Sequence, residues 1–249
     1  MRTYHQLTDP DRSGLLDQIG AQRKRVAERL AGVRRIVTVM SGKGGVGKSY
    51  VTAHLARALA RGGWGVGVLD ADLNGPTIPG LLQAPPTAQP PAVGLDGVKC
   101  ISMGQFLDAG APLSFTGPAA ESFVWRGAME ASALREFLGD VEWGTLDVLL
   151  VDLPPGMQRY IELCDILGNP PSVLTVTIPT PESRDAVRRA MRAAVERGSA
   201  LLGIVENMVG QEFSGTAADD LSKEVHTPVL ARIPWHPTPD TWATLGSRL

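Results

Sequence analysis

A short stretch rich in glycine and lysine holds the residues whose types and spacing best suit chemistry. Residues 37–49, VTVMSGKGGVGKS, run from an apolar segment through glycines into a predicted helix. The stretch fits the pattern G-x-x-x-x-G-K-[ST] at Gly42, Gly47, Lys48 and Ser49. In that pattern backbone N–H groups surround a phosphate, the lysine reaches the β- and γ-phosphates, and the hydroxyl is a ligand of Mg²⁺. The stretch therefore predicts a site for a nucleoside triphosphate and Mg²⁺; a glycine-rich turn without ligand is the alternative.

Three aspartates end apolar segments that are predicted to be strands. Asp70 and Asp72 follow residues 65–69, and Asp152 closes residues 146–152, LDVLLVD. Because α/β sheets bind ligands at the carboxyl ends of their strands, these carboxylates are expected beside the glycine-rich loop. An aspartate there can hold the water shell of Mg²⁺. The alternative for the first two is that they cap a turn.

The composition limits the number of domains and the kinds of partner. With 249 residues, 43% hydrophobic residues and a formal net charge of −2, the chain suits one large α/β domain. A nearly neutral charge argues against a surface that binds polyanions, so nucleic acid is not an expected partner. No apolar stretch is long enough to span a bilayer, and the first residues lack the apolar region of a secretory signal. We therefore expect a cytoplasmic protein without membrane contact.

The order of the segments predicts the architecture. Strand candidates alternate with helices, which indicates an α/β fold with a doubly wound, mainly parallel sheet. These candidates are the segment that starts at Val37 and residues 65–69, 98–103, 146–152, 173–178, 201–205 and 229–233. An amphipathic helix over 11–32 predicts a helical extension over 1–33 before a domain over 34–249. Its basic face is expected to be solvated, with partner or membrane contact as the alternative, and residues 85–91 are expected to be a proline-rich surface linker.

The cysteines do not form a recognisable framework. Cys100 and Cys164 lie far apart in the sequence and belong to no C-x-x-C pair. We expect both to be buried thiols.

Five separated motifs resemble those of one family. KGGVGKS is similar to the deviant Walker A signature of the MinD/ParA class, and SGKGGVGKS resembles that of its Mrp branch. The segments LDADLNGPTIPGLL, FVWRGAMEASALREFL, ENM and RIP resemble further stretches of the Mrp branch. The resemblance covers about residues 34 to 237. It implies the fold of a P-loop NTPase for the domain over 34–249, with ATP and Mg²⁺ as cofactors.

The resemblance also implies a set of catalytic and metal-binding roles. Lys43 would reach the phosphates of a nucleotide bound by another subunit, which implies a homodimer or heterodimer joined through an ATP sandwich. The simpler interpretation of Lys43 is a solvated loop charge. Asp72 would orient the attacking water and Lys48 would stabilise the phosphates. The predicted Mg²⁺ site comprises Ser49, Asp70 and Asp152.

Nucleotide contacts are expected from the loop and from two later turns. Asn207 would read the adenine edge, with a turn-forming asparagine as the alternative, and Pro234 would belong to a turn around the base. Trp125 and Arg126 are candidates for the dimer face, although core packing of Trp125 is equally compatible with the sequence. The expected contacts are Gly42, Lys43, Gly44, Gly45, Val46, Gly47, Lys48, Ser49, Tyr50, Asn207 and Pro234.

Two departures from the family pattern affect the function. After the second switch, Pro154 to Gly156, the family continues with G-T-G-D, whereas this chain has residues 157–160, MQRY. Mrp-type carriers place a C-P-x-C pair after the position of Asn207, whereas this chain has VGQEFSG there. An iron–sulfur cluster therefore cannot be assigned to that position.

The function predicted from these features is that of an Mrp-like Mg²⁺-ATPase. It would act in the maturation of iron–sulfur or other metallocofactor proteins without a C-x-x-C cluster site of its own, and a client metalloprotein is a possible partner. The alternative is an ATP-gated dimerisation switch of the MinD/ParA kind, and a small-molecule kinase comes third. The tail HPTPDTWATLGSRL is short and broken by proline, which argues against MinD-like membrane targeting.

Overall fold

A single sheet forms the centre of the protein. The computed structural model describes residues 15–72, 75–87, 89–102, 105, 132–210 and 215–249. The strands are β1 (Ile36–Ser41), β2 (Val66–Asp70), β3 (Ala92–Val93), β4 (Lys99–Ser102), β5 (Val148–Asp152), β6 (Ser172–Thr177), β7 (Leu201–Val209) and β8 (Val229–Pro234). In the described ranges they form one sheet in the order β3-β4-β2-β5-β1-β6-β7-β8. All pairs are parallel except β3 with β4.

Helices cover both faces of the sheet. They are α1 (Leu15–Arg29), α2 (Lys48–Arg61), α3 (Ile78–Leu82), α4 (residues 132–139), α5 (Gln158–Leu167), α6 (Pro181–Glu196), α7 (Ala217–Val225) and α8 (Pro239–Gly246). Val37 and Val39 of β1 share one core cluster with α2, α3 and α8, whereas Met40 belongs to a second cluster with α4 and α5. Helices α6 and α7 pack against each other and against Ile204 of β7 in a third cluster. The predicted doubly wound, mainly parallel α/β fold is therefore confirmed.

The central strands explain why the sequence forms this sheet. β1 and β5 have neighbours on both sides and helices on both faces, so nearly every residue in them is buried. Such strands read as continuous apolar runs rather than alternating ones. Each run ends in a polar residue, Ser41 in β1 and Asp152 in β5. The polar residues thus collect at one edge of the sheet.

Two segments differ from the sequence prediction. β7 extends to Val209, beyond the predicted end at residue 205, because pairing with β8 resumes at Val209 and Pro234 after an irregularity. Asn207 consequently lies within a strand. The proline-rich residues 85–91 lead directly into β3, a two-residue edge strand that the sequence pattern did not predict.

The N-terminal segment packs on the main core. Helix α1 begins at Leu15, and residues 11–14 of the predicted helix lie outside the described ranges. Val26 and Leu30 are buried in the same cluster as Met40 and Leu138. The division between 1–33 and 34–249 remains a prediction.

Two further predictions concern dimer-face candidates and membranes. Trp125 and Arg126 lie outside the described residues, as does most of the 123–138 segment, of which residues 132–138 are helical within α4. Within the part of the chain that the structure describes, no helix is both long and apolar enough to cross a membrane.

Candidate nucleotide-binding site

The loop between β1 and α2 has the backbone shape that its glycines predict. Gly45 and Gly47 have φ angles of 78° and 77°, in the left-handed region that favours glycine. A Cβ atom at Gly42 would lie 2.4 Å from the backbone of Ala186 and Val187 in α6. The loop therefore needs glycine at residue 42 for close packing and at residue 47 for its turn into the helix.

The end of β7 lies against this loop. The Asn207 side chain is buried, and its Nδ2 donates a hydrogen bond of 2.9 Å to the carbonyl oxygen of Val46. A Cβ atom at Gly47 would lie 2.3 Å from the same Nδ2. Asn207 thus holds the loop through the Val46 carbonyl oxygen. A contact between the Asn207 side chain and adenine remains a prediction. Pro234 lies exposed at the carboxyl end of β8.

The first turn of α2 directs three polar groups at one carboxylate. Lys48 Nζ lies 2.6 Å from Asp152 Oδ2, and Ser49 Oγ donates a hydrogen bond of 2.5 Å to the same oxygen. Thr52 Oγ1 lies 2.7 Å from Asp152 Oδ1. Lys48 is 7% exposed and Asp152 is fully buried. The loop lysine and the carboxylate that ends β5 therefore form a buried ion pair, as expected for polar groups brought to the same edge of the sheet.

Asp70 lies beside Asp152, because the two residues are direct partners in the register of β2 and β5. Burial, together with the neighbouring Asp152 charge, raises the pKa of Asp70 to about 7. Its carboxylate accepts hydrogen bonds from the backbone nitrogens of Asp72 and Ile78 and from the Ser102 hydroxyl. Asp70 thus holds the segment after β2 in place while adding a second acidic group to the site.

These groups fit a hard divalent cation. The Ser49 hydroxyl and the carboxylates of Asp70 and Asp152 offer only oxygen atoms, which are the ligands that Mg²⁺ prefers. Ser49 and Asp152 already touch, and Asp70 lies on the adjacent strand. The part of the chain that the structure describes contains no separate group of three or more His, Cys, Asp or Glu residues placed to hold a metal.

An open cavity of about 390 Å³ lies between the loop and the residues that follow β2 and β5. Its size is within the range of small-ligand sites. Lys43 and Asp72 both line it, and Asp72 Oδ1 accepts a hydrogen bond of 3.2 Å from the Gly75 nitrogen. Lys43 has no ion-pair partner among the described residues. Within the described ranges, the residues that line the cavity are Ser41, Lys43, Gly44, Gly45, Val46, Gly47, Lys48, Ser49, Tyr50, Asp72, Gly75, Thr77, Leu81 and Pro155.

The structure thus gathers most of the predicted site residues and separates a few. Residues 43–50 and Asp72 line the cavity, while Asp70, Asp152 and Asn207 support it from the sheet. The Tyr50 ring lies partly exposed against His54, with ring centroids 4.2 Å apart.

Thr52 was missed as a site residue, and Pro155, which lines the cavity, was expected only as part of the second switch. The signal for Thr52 was available, since it follows Lys48 by four residues and shares its helix face.

The two cysteines are inert in this arrangement. Cys100 lies in β4 and Cys164 in α5, and both are buried. Burial, with a smaller effect of the Asp70 charge, raises the pKa of the Cys100 thiol to about 12, and burial also raises the pKa of Cys164. A thiol with a raised pKa is a poor metal ligand because the thiolate is the ligating form. The prediction of buried thiols agrees with this.

Comparison with known proteins identifies the family. A family model described as ParA, NUBPL iron-transfer P-loop NTPase, matches residues 32–247. The chain is 39% identical over 226 residues to an iron–sulfur cluster carrier protein of Mycobacterium leprae (strain TN), which covers 82% of this chain. The match covers only 56% of that relative, so the chain spans little more than half of its length. An iron–sulfur cluster carrier protein of Methanocaldococcus jannaschii is 35% identical, with coverage of 91% of this chain and 80% of that protein.

A solved structure supports the same assignment. The nucleotide-binding protein of Archaeoglobus fulgidus, in complex with ADP, is similar with a TM-score of 0.69 and 32% identity, covering 90% of this chain and 91% of that one. These matches agree with the resemblance carried by the Walker A stretch and the later motifs. Loop, sheet order and matches together place the chain in the ParA family of NUBPL-type iron-transfer P-loop NTPases.

Proposed function

We propose that this protein binds and slowly hydrolyses ATP with Mg²⁺, and that it acts in the maturation of iron–sulfur or other metallocofactor proteins without a C-x-x-C cluster site of its own. The observation that carries the ATP part is the convergence of Lys48 and Ser49 on Asp152 beside an open cavity. The names of the relatives, iron–sulfur cluster carrier proteins, support the maturation part.

Nucleotide binding begins with the backbone of the loop. The N–H groups of residues 44–47 and the positive end of α2 suit a phosphate, which carries several negative charges. Lys48 must exchange its contact with Asp152 for one with phosphate. That exchange keeps the ammonium charge paired throughout, which matters because an unpaired buried charge is costly.

Hydrolysis would use groups on both sides of the phosphates. When bound, Mg²⁺ neutralises charge that develops on the phosphate oxygens. Ser49 and Asp152 are the residues that would hold it, with Asp70 nearby. Asp72 stands at the cavity wall, where its carboxylate would orient water for in-line attack, and Lys48 would stabilise the transferred group.

Lys43 favours an assembly of two subunits. It lines the cavity and lacks an ion-pair partner among the described residues, so its ammonium is available to a second set of phosphates. ATP would then join two copies, or this chain and a related subunit. The same observation favours the ATP-gated dimerisation switch as a second candidate function.

Localisation and partners follow from the same proposal. A protein that matures metallocofactors in this way would work in the cytoplasm and meet a client metalloprotein. In the described part of the tail, Trp242 and Leu245 of α8 are buried, so that this helix offers no free apolar face for MinD-like membrane contact.

The test combines ATP turnover with iron analysis. We expect the isolated protein to hydrolyse ATP only with Mg²⁺ and, after anaerobic reconstitution with iron and sulfide, to hold no stoichiometric cluster. A client protein that retains iron and sulfide should be captured under anaerobic conditions in the presence of ATP. A stable cluster on the isolated chain that is lost in Cys100→Ser with Cys164→Ser would contradict the absence of an own cluster, and absence of Mg²⁺-dependent turnover would contradict the ATPase.

A further inference from the structure

Thr52 contacts the Asp152 carboxylate together with Lys48 and Ser49. Unlike those two residues, it is not part of the glycine-rich loop pattern. It lies one turn after Lys48 in α2 and is fully buried. Its hydroxyl is 2.7 Å from Asp152 Oδ1 and 3.0 Å from the Lys48 carbonyl oxygen. A threonine hydroxyl has one proton and can therefore donate to only one of these acceptors at a time.

Four observations favour donation to the carboxylate. The distance to Asp152 is the shorter, and hydrogen bonds to a charged acceptor are the stronger ones. The Lys48 carbonyl can accept the backbone N–H of Thr52, as in any α-helix. Thr52 is the one side chain in the described ranges that donates to Asp152 Oδ1, because Lys48 and Ser49 both contact Oδ2.

The two carboxylate oxygens therefore have different partners. Oδ2 contacts Lys48 and Ser49, which the proposed function assigns to phosphate and Mg²⁺. Oδ1 contacts Thr52, which has no such assignment and whose β-branched side chain has few rotamers in a helix. If Lys48 and Ser49 turn to the ligand as the proposed function requires, Thr52 would be the remaining partner of the Asp152 carboxylate.

We propose that Thr52 is a positioning residue for Mg²⁺: its hydroxyl holds the Asp152 carboxylate in the orientation in which Oδ2 faces the metal site. The proposal rests on the proposed function and deepens it. Thr52 acts through Asp152, and touches neither nucleotide nor metal. Its loss should weaken the contribution of Mg²⁺ to nucleotide affinity, whereas affinity measured without the metal should not change.

The chain offers a matched control. Thr38 is also a fully buried threonine, in β1, and its hydroxyl has no hydrogen-bond partner within the described ranges. Thr38→Val and Thr52→Val make the same chemical change at similar burial. Thr52→Ser keeps the hydroxyl and removes a methyl group, whereas Thr52→Ala removes both.

The experiment is a calorimetric titration with ADP, in EDTA and at a series of free Mg²⁺ concentrations. We expect Thr52→Val to bind ADP in EDTA within about twofold of wild type. The increase in ADP affinity that Mg²⁺ gives should be about tenfold smaller than in wild type, because losing a residue that hydrogen-bonds to a metal ligand commonly has an effect of that size. Thr52→Ser and Thr38→Val should keep the wild-type gain. Should Thr52→Val fail to fold, the difference between Thr52→Ser and Thr52→Ala decides the question.

The outcomes distinguish a failure of the positioning role of Thr52 from a failure of the proposed function. If wild type binds ADP with a gain from Mg²⁺, and Thr52→Val and Thr52→Ala show the same gain, then the positioning role is wrong and the proposed function stands. A loss of affinity in EDTA equal to the loss in Mg²⁺ would mean that Thr52 serves only packing, which also overturns the inference. If wild type binds no ADP under any condition, both the proposed function and this inference are wrong.

Discussion

The two lysines of the loop stand in opposite surroundings although only five positions separate them. Lys48 is buried and ion-paired with Asp152, and the adjacent Ser49 hydroxyl bonds to the same carboxylate. Lys43 lines the open cavity and has no ion-pair partner in the described ranges. The contacts of Lys48 and Ser49 with Asp152 are thus formed without a ligand, whereas the Lys43 ammonium at the cavity has no ion-pair partner among the residues that the structure describes. Under the proposed function, Lys48 would bind the nucleotide of its own subunit and Lys43 would bind that of a neighbouring subunit.

The largest effect should come from removing the preassembled charge. Lys48→Ala should weaken binding of Mg-ATP about a thousandfold, because several charge-assisted bonds to phosphate are lost together. Calorimetry measures this directly. Lys24→Ala is a suitable control, since Lys24 is an exposed residue of α1 whose ammonium pairs with Glu28 at 3.8 Å. Equal affinities of Lys48→Ala and wild type would refute the assignment of the loop.

Asp72 tests the outer side of the site. Asp72→Asn should bind ATP with nearly wild-type affinity and hydrolyse it about a hundredfold more slowly, because orienting water matters in the transition state rather than in the ground state. Single-turnover measurement of phosphate release separates the two quantities. Unchanged turnover in the variant would remove Asp72 from the mechanism and leave Asp70 and Asp152 as candidates.

The protonation of Asp70, which lies beside Asp152, should make the stability of the protein depend on pH. Below about pH 4 its carboxyl is protonated in both the folded and the unfolded protein, whereas between about 4 and 7 the folded protein alone keeps the proton. The contribution of Asp70 to the free energy of unfolding therefore falls as pH rises from about 4 to about 7 and is lost above the folded-state pKa of about 7. Without Mg²⁺, wild type should lose about 3 kcal/mol between pH 5 and pH 8 relative to Asp70→Asn. Denaturant unfolding at both pH values measures it, and parallel pH profiles would show that Asp70 titrates normally.

Lys43 should give the smallest change in affinity and the sharpest contrast with Lys48. Lys43→Ala should bind ATP within about threefold of wild type, and its ATP-dependent dimer should be weaker by at least about tenfold, since a bond to a charged group across the interface is lost. Light scattering with a non-hydrolysable ATP analogue reports the assembly. A wild-type protein that stays monomeric with the analogue would restrict the sandwich to a heterodimer with another subunit.

Much of this arrangement could be predicted because it follows from periodicity. The apolar runs before Asp70 and Asp152 predicted parallel strands, and the rule that ligands bind at strand ends predicted that these carboxylates lie beside the glycine-rich loop. The glycines of the loop predicted a close turn of backbone around a phosphate, and Gly47 has the left-handed conformation that favours glycine. Each of these inferences depends on the local sequence and on rules common to α/β sheets.

Other features depend on packing that a single sequence does not reveal. The bond between Asn207 and the Val46 carbonyl requires the register of β7, which continues past its predicted end. The helical period places Thr52 on the same face as Lys48, but its contact with Asp152, 100 positions away, depends on how α2 packs on the sheet. The edge strand β3 consists of two residues, too few for a pattern of alternation.

The close approach of Gly42 to α6 has a mechanical consequence. Because the helix backbone fills the space behind this glycine, the loop has a rigid wall at its back and cannot recede when phosphates enter. The same helix is braced against α7 by Arg188 and Arg192, which both pair with Glu224. The loop must therefore accommodate a phosphate by moving on the side that faces the cavity, since the side that faces α6 is already filled.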